Sequence, residues 1–324
     1  MISIIIPNYN KAILLKNCLN SIINCKCTDY EIIIVDNGST EAFLQLNNQS
    51  NVKYIGLESN YGFSKAVNIG IKQSKGEYIA ILNNDTEVDS NWIKNVIIAF
   101  EENRDAIVIT SKIKSLRNKD LLDDVGDVIL PSGKVYKIGN NEKDLGQYDK
   151  QRFIFGASGC ASVYRREFFD KVGFFDEDFF AYLEDIDLSF RANLLGYKCL
   201  YVPEVVVYHV GSATTGSQYN DFTVFHLAQN TISVIVKDFP FTILLRSIFS
   251  VLTYIISLQA FFLIKGYGGP YFKGLISGIR SVNKMRPKRH EIMKNRVLTD
   301  DELINMFKKN KRLYKMSKKN RDKY

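Results

Sequence analysis

Short, almost uninterrupted runs of β-branched residues alternate with segments of helical periodicity over the first hundred positions, and few folds accept that pattern. Runs at 2–7, 31–35, 52–57 and 78–82 read as buried strands, with helices over 11–24, 64–73 and 91–103. Strands apolar on both faces belong in a parallel sheet covered on each side by helices. Right-handed crossovers then give an open, doubly wound α/β sheet. Ligands of such sheets bind beyond the carboxyl ends of the strands. The polar clusters at 8–10, 36–40 and 83–87 each follow a strand, so they mark the expected site.

Beyond this frame the signals differ in kind. Residues 104–150 carry turn signals at 131–133 and 139–141 and read as a loop-rich β insertion. Dense patterning returns over 151–212, with an acidic helix expected at 184–195 and a strand near 198–202. Hydrophobic residues make up 46% of the 324 positions and charged residues 24%, which is a globular rather than a disordered balance. The five cysteines (Cys18, Cys25, Cys27, Cys160, Cys199) form no Cys-x-x-Cys pair. Neither a zinc site nor a disulfide framework is expected, and reduced thiols in a cytoplasmic protein are. The apolar start lacks a basic leader and a small-residue cleavage site, so no signal peptide is read there.

Three acidic clusters carry the expected chemistry. Asp36, in Val35-Asp36-Asn37-Gly38-Ser39, is placed to accept a hydrogen bond from an imide or a ribose hydroxyl, or simply to close a turn. Asp85, in Asn83-Asn84-Asp85-Thr86, suits a divalent cation shared with phosphates, or an Asx turn before the next helix. Glu184-Asp185-Ile186-Asp187 opens a helix, where the dipole favours acids. Phe174, Phe175, Phe179, Phe180 and Tyr182 precede it, and apolar surroundings raise a carboxylate toward the range of a general base. His209 follows a strand, as a structural histidine or as the completion of a metal site.

The order of these motifs is more specific than any one of them. Ile4-Ile5-Ile6-Pro7-Asn8-Tyr9-Asn10, Val35-Asp36-Asn37-Gly38-Ser39, the segment 60–70, Leu82-Asn83-Asn84-Asp85-Thr86 and the segment 174–191 closely resemble the family 2 inverting glycosyltransferases, within them the rhamnosyltransferase-like group. The resemblance covers residues 2 to about 215. It implies a GT-A nucleotide-sugar-binding fold, Mg²⁺ or Mn²⁺ as cofactor, a nucleotide-sugar donor and a glycan or lipid-linked sugar as acceptor. Pro7 and Tyr9 match positions beside the nucleobase, and Asp36 the carboxylate that reads it. Asn60, Gly62 and Asn68 match the ribose and sugar-phosphate segment. Asn83, Asn84 and Asp85 stand where the family has Asp-x-Asp, leaving Asp85 as chief metal ligand with His209 approaching it. Asp185 matches the catalytic base, with Glu184 beside it. The Gln-x-x-Arg-Trp motif of processive synthases is absent, the sole tryptophan being Trp92, and this implies transfer of single sugars. A nucleotidyltransferase would need a basic Gly-rich phosphate loop where Asn8-Tyr9-Asn10-Lys11 stands, and a non-catalytic sugar-nucleotide-binding protein would not need Asp185.

The expected organisation is a catalytic domain over 1–215, a helical apolar membrane-associating region over 216–283 and a basic tail over 284–324. The tail holds 15 Lys/Arg against 5 Asp/Glu, so the net charge of +8 is concentrated there. Residues 247–264 are uncharged, but Arg246, Ser250, Thr253 and Ser257 draw one polar stripe along them. That pattern favours a helix lying on an anionic membrane surface, with the tail on the headgroups, over a span. The expected location is the cytoplasmic face of the cell membrane, with no nucleic-acid partner.

Overall fold

The computed structural model describes residues 1–41, 50–211 and 219–322. In chain order these form β1 (Ile2–Asn8), α1 (Ala12–Ile23), β2 (Tyr30–Asp36), β3 (Val52–Gly56), α2 (Phe63–Gln73), β4 (Tyr78–Leu82), β5 (Thr86–Val88), α3 (Trp92–Glu102), β6 (Ala106–Ser115) and β7 (Leu122–Asp124). There follow β8 (Asp127–Ile129), β9 (Val135–Lys137), β10 (Arg152–Ile154), β11 (Ala161–Arg165), α4 (Glu167–Lys171), α5 (Glu184–Leu194) and β12 (Lys198–His209). Helices α6 (Asp221–Asp238), α7 (Phe241–Ile264), α8 (Gly268–Lys294) and α9 (Asp300–Arg321) complete the described chain.

The fold is α/β, with a central sheet in the order β10-β12-β6-β11-β4-β1-β2-β3. Strands β1 to β4 pair in parallel, as the continuous apolar runs of β1, β2 and β4 require, while β3, expected to be buried, is the half-exposed edge strand Val-Lys-Tyr-Ile-Gly. The parallel pairing expected from the first hundred residues is confined to that part, and the sheet as a whole is mixed. Strand β11 runs antiparallel between β4 and β6. Its sequence, Ala-Ser-Val-Tyr-Arg, is buried on both sides like its neighbours, so composition does not reveal its direction.

A second correction concerns residues 104–150. They open with the ten-residue strand β6, buried at eight positions and central to the sheet, and only then become loop-rich. The last strand also exceeds its expected range. A bulge between Val202 and Val206 lets β12 run on to His209, where it pairs with β5.

The expected boundary at 215 lies outside the described residues, and the one at 283 falls inside α8. Helix α9 lies against the catalytic sheet domain: Leu303 and Phe307 are buried in its core. The Asn310 amide donates to the Ile129 carbonyl at 2.9 Å, and the Gly139 N–H donates to the Ser317 hydroxyl at 3.0 Å. Helix α8 packs against α6 backbone to backbone. A Cβ at Gly274 would stand 2.3 Å from the Phe225 carbonyl, and one at Gly278 2.8 Å from that of Gln229, so this contact admits only glycine.

A buried charge network ties these helices to α5. Asp187 is fully buried and accepts from Arg191 at 2.9 and 3.0 Å, while the Lys237 ammonium lies 2.5 Å from its other oxygen. Lys237 also reaches Asp176 at 2.6 Å, and Lys288 of α8 reaches Asp178 at 2.8 Å. Burial opposes ionisation of Asp176, but Lys237 and then Lys288 hold its carboxyl well below the usual range. Removing one member of such a buried set leaves a charge uncompensated. Lys237→Met should therefore destabilise the protein by about 3–5 kcal/mol in urea unfolding. A loss under about 1 kcal/mol would show that the network does not hold the helices.

Candidate active site

Strand register builds the first wall of the site. Parallel pairing sets Asn8 beside Asp36 at the carboxyl ends of β1 and β2. The Asn8 amide donates to Asp36 Oδ1 at 2.8 Å, and its own Oδ1 accepts from the Asn84 amide at 2.7 Å. One side chain thus joins three strand ends. Asn37 does the same for the next loop, donating to Asn60 Oδ1 at 3.0 Å and to the Gly62 carbonyl at 3.1 Å. Gly62 has φ +88°, and a Cβ there would lie 2.6 Å from the Phe180 carbonyl, so glycine is required.

The second wall comes from the long strand β12. Its pairing with β5 sets His209 opposite Thr86 and next to Asp85. His209 Nε2 lies 3.3 Å from Asp85 Oδ1, and Nδ1 lies 2.7 Å from Asp123 Oδ2. Burial opposes protonation of this imidazole, but the Cys160 thiol and the Asp123 and Asp85 carboxylates raise its pKa well above the ordinary range. The same negative potential draws a cation. A carboxylate on one imidazole nitrogen also orients the other as a metal ligand. Among the described residues no three His, Cys, Asp or Glu side chains form a cage. The donor set therefore fits a magnesium-like ion that takes one or two protein ligands and draws the rest from phosphates and water.

The third wall is the start of α5. Asp185 Oδ2 accepts from the Gly159 N–H at 2.8 Å, and Oδ1 from the Ile186 N–H at 2.8 Å. Burial raises its pKa, and these N–H bonds restrain the rise. Glu184 is buried, and its Oε2 has no hydrogen-bond partner among the described residues. Burial and then the Asp185 charge push Glu184 well above the usual carboxylate range.

Pro7, Tyr9, Asn60, Gly62, Asn83, Asn84, Asp85, Glu184, Asp185 and His209 all line one cavity of about 480 Å³. Two expected residues do not. Asp36 faces Asn8 and Ser39, and together with burial it pushes the Tyr54 phenol up to about 12. Asn68 is buried and exchanges hydrogen bonds with the Phe175 backbone at 2.9 and 3.0 Å, so it braces the segment before α5. The cavity also includes Asn8 and Asn37 of the expected polar clusters, and residues that the sequence reading passed over: Asp127 and Lys137 of the β8–β9 hairpin, and Phe222, Thr223 and Leu227 of α6. The acidic run Asp123-Asp124-Val125-Gly126-Asp127 was the available signal for the hairpin.

Residues 3–173 match the family Glycosyl transferase family 2, and residues 140–267 match Glycosyl transferase family group 2. The poly-beta-1,6-N-acetyl-D-glucosamine synthase of Staphylococcus epidermidis is 26% identical over 250 residues, covering 75% of this chain. The chain spans only 57% of that relative's length. Residues 1–349 of S. aureus TarS, solved also with UDP and with UDP-GlcNAc, superpose over 97% of this chain and 91% of that one, with a TM-score of 0.54 at 17% identity. The mannosyltransferase PcManGT from Pyrobaculum calidifontis, in complex with GDP-Man and Mn²⁺, covers 87% of this chain and 86% of its own, with a TM-score of 0.52 at 14% identity. These two structures share the fold, and their nucleotide complexes belong to them.

The Glu184 shift has a consequence for stability. Below the ordinary glutamate pKa both folded and unfolded chains hold this proton, and nothing is lost. Above it the unfolded chain ionises freely while the folded one resists, so folding is penalised as pH rises. Glu184→Gln should stabilise the protein by on the order of 1 kcal/mol at pH ~7.5 and not at pH ~4. Equal unfolding curves for the two proteins at both pH values would remove Glu184 from a charge-hostile environment.

Proposed function

The chain belongs to glycosyltransferase family 2, and from that premise we propose that it transfers a single sugar from a nucleotide-diphosphate-sugar to a hydroxyl of a glycan or lipid-linked sugar, with inversion, in cell-surface polysaccharide synthesis. The observation that carries this reading is the meeting of Asp85, His209 and Asp185 in one cavity. Pro7, Tyr9, Asn60 and Gly62 would cradle the nucleotide, and Asn83, Asn84 and Asp85 its diphosphate. Asp36 would act at the nucleobase end through Asn8. A divalent cation, Mg²⁺ or Mn²⁺, held by Asp85 and His209 would neutralise the diphosphate. Rhamnose is the sugar to which the motif resemblance points.

Asp185 is the better base of the acidic pair. A base must be ionised at working pH. Glu184 resists ionisation more strongly than Asp185, which has two N–H groups on its oxygens. Asp187 is consumed by Arg191 and Lys237. In transfer, Asp185 takes the acceptor hydroxyl proton as that oxygen bonds the anomeric carbon and the bond to the diphosphate breaks. Single transfer is supported by Trp92, the sole tryptophan, which is buried in the core on α3 and does not line the cavity.

The test is hydrolysis of a panel of nucleotide sugars with Mg²⁺ or Mn²⁺, and with EDTA. Asp185→Asn should lower turnover by roughly 10²–10⁴, with nucleotide affinity kept within a few-fold, because the lost contact is made in the transition state. Asp85→Ala and EDTA should each abolish turnover. Undiminished activity of Asp185→Asn would refute the base assignment, and full activity in EDTA would refute the metal.

The cytoplasmic membrane surface is the proposed location, with the catalytic part at 1–215, the membrane-contacting part at 216–283 and the basic part at 284–324. Helix α7 supports it. Ile243, Ser247, Val251 and Phe262 face the protein, while Leu245, Phe249, Leu252, Ile256 and Leu263 are exposed beside the polar stripe. An in-plane helix needs that three-sided arrangement. The protein should float with anionic vesicles, less so at high salt, and Phe249→Ser with Ile256→Ser should sink while still hydrolysing donor. Flotation of that double variant equal to wild type would overturn the assignment of α7.

A further inference from the structure

The loop entering α5 is held in an unfavourable shape. Phe180, Tyr182 and Leu183 have φ of +57°, +70° and +63°. Bulky side chains rarely adopt that region, and such a conformation persists only where the surroundings over-determine it. Here the surroundings are specific. Asn230, fully buried on α6, aims its amide nitrogen at three carbonyls of the loop backbone: those of Phe179 at 2.9 Å, Ala181 at 2.9 Å and Tyr182 at 2.7 Å. The remaining carbonyl, that of Phe180, accepts from the Phe63 N–H at 2.6 Å where α2 begins. The Leu183 carbonyl accepts from the Asp187 N–H at 2.9 Å, which starts α5.

All the carbonyls from 179 to 183 are therefore engaged, three of them by one side chain. Glu184 and Asp185 follow directly. An asparagine suits the task because its amide presents two N–H donors and no charge, with one N–H shared between two of the three carbonyls. Its Oδ1 has no partner among the described residues, so the donors alone account for its place.

We propose that Asn230 is a positioning residue for sugar transfer: it holds the left-handed loop 180–183 and so aims the carboxylate of Asp185 at the acceptor hydroxyl. The role rests on the transferase reading above. Asn230 does not line the cavity. It acts through the backbone, so its loss appears in turnover rather than in donor binding.

The experiment uses the full chain with UDP-GlcNAc, GDP-mannose and any other nucleotide sugar that the wild type hydrolyses. Asn230→Asp keeps the shape but turns a carboxylate toward three carbonyls. It should lower kcat by about 10²-fold, the effect of misaiming a reacting group by about 1 Å, with donor KM within threefold. Asn230→Gln keeps the amide on a longer stem and should fall between. Ser233→Ala, one turn away and bonded to Gln229 and Ser281, should leave kcat unchanged. In Asn230→Ala, the further change Leu183→Gly should restore part of the lost turnover, because glycine adopts the loop conformation without a clamp. That rescue separates aiming from mere stability and applies even if Asn230→Asp folds poorly. An active wild type with Asn230→Asp within threefold in kcat, or an Asn230→Ala loss that Leu183→Gly leaves untouched, overturns the positioning role alone. A wild type inert toward every donor overturns the transferase reading and this role with it.

Discussion

The carboxyl group of Asp187 has no exposure to solvent, and the arrangement around it decides where α5 can lie. Desolvating a carboxylate is tolerated only when cations and hydrogen bonds replace water. Arg191, one turn along the same helix, supplies the first cation and Lys237 of α6 the second. Asp238, next in sequence to Lys237, is pushed well above the ordinary range by burial and then by Asp187. The helix is consequently fixed in both rotation and height. Successive residues turn about 100° on a helix, so Asp185 and Asp187 point about 200° apart. The acidic run divides into a face for chemistry and a face for the core.

The wall of the cavity at the ends of β1 and β2 is organised by amides instead of charges. Asn8 bonds Asp36 and Asn84, and Asn37 bonds Asn60 and the Gly62 carbonyl. Amides present a donor and an acceptor together, so one residue can lock two loops without adding charge. That keeps carboxylates for the places that use them. Asp85 and Asp123 flank the one imidazole in the cavity, and Asp185 stands across from them.

Much of this was legible where chemistry and register are local. Strands β1, β2 and β4 follow from their continuous apolar runs, and the end of each predicts which polar cluster reaches the site. Asp85, Asp185 and His209 come together as their motif order implies. Asn68 and Asp36 show the limit. Each sits in a recognisable motif, yet its side chain turns to a neighbour and not to the cavity, and the motif does not encode that choice. The turn of the β8–β9 hairpin, at 131–133, was legible, but its strands and their place were not. Three-residue strands have too little periodicity to read, and their place is set by α9, some 180 positions away, through Asn310 and Tyr314. The basic segment reads as a tail on anionic headgroups because charge dominates its composition, while Leu303 and Phe307, with Asn310 and Ser317, pack it against the sheet domain.

Helix α6 shows why the apolar helices and the catalytic motif form one structure. Thr223, Asn230 and Lys237 recur every seven residues, two helical turns apart, and so share a face. Thr223 meets the Tyr182 hydroxyl at 3.2 Å, Asn230 the loop carbonyls and Lys237 the carboxylates of Asp176 and Asp187. The face carrying Phe225, Ala228 and Gln229 meets Gly274 and Gly278 of α8, so closely that no side chain fits between. A helix pressed on one side against backbone and pinned on the other by three polar contacts has little freedom to shift. The apolar helices are for that reason a fixed wall of the active site, and an acceptor presented from a membrane surface would meet the Asp185 carboxylate at a set height.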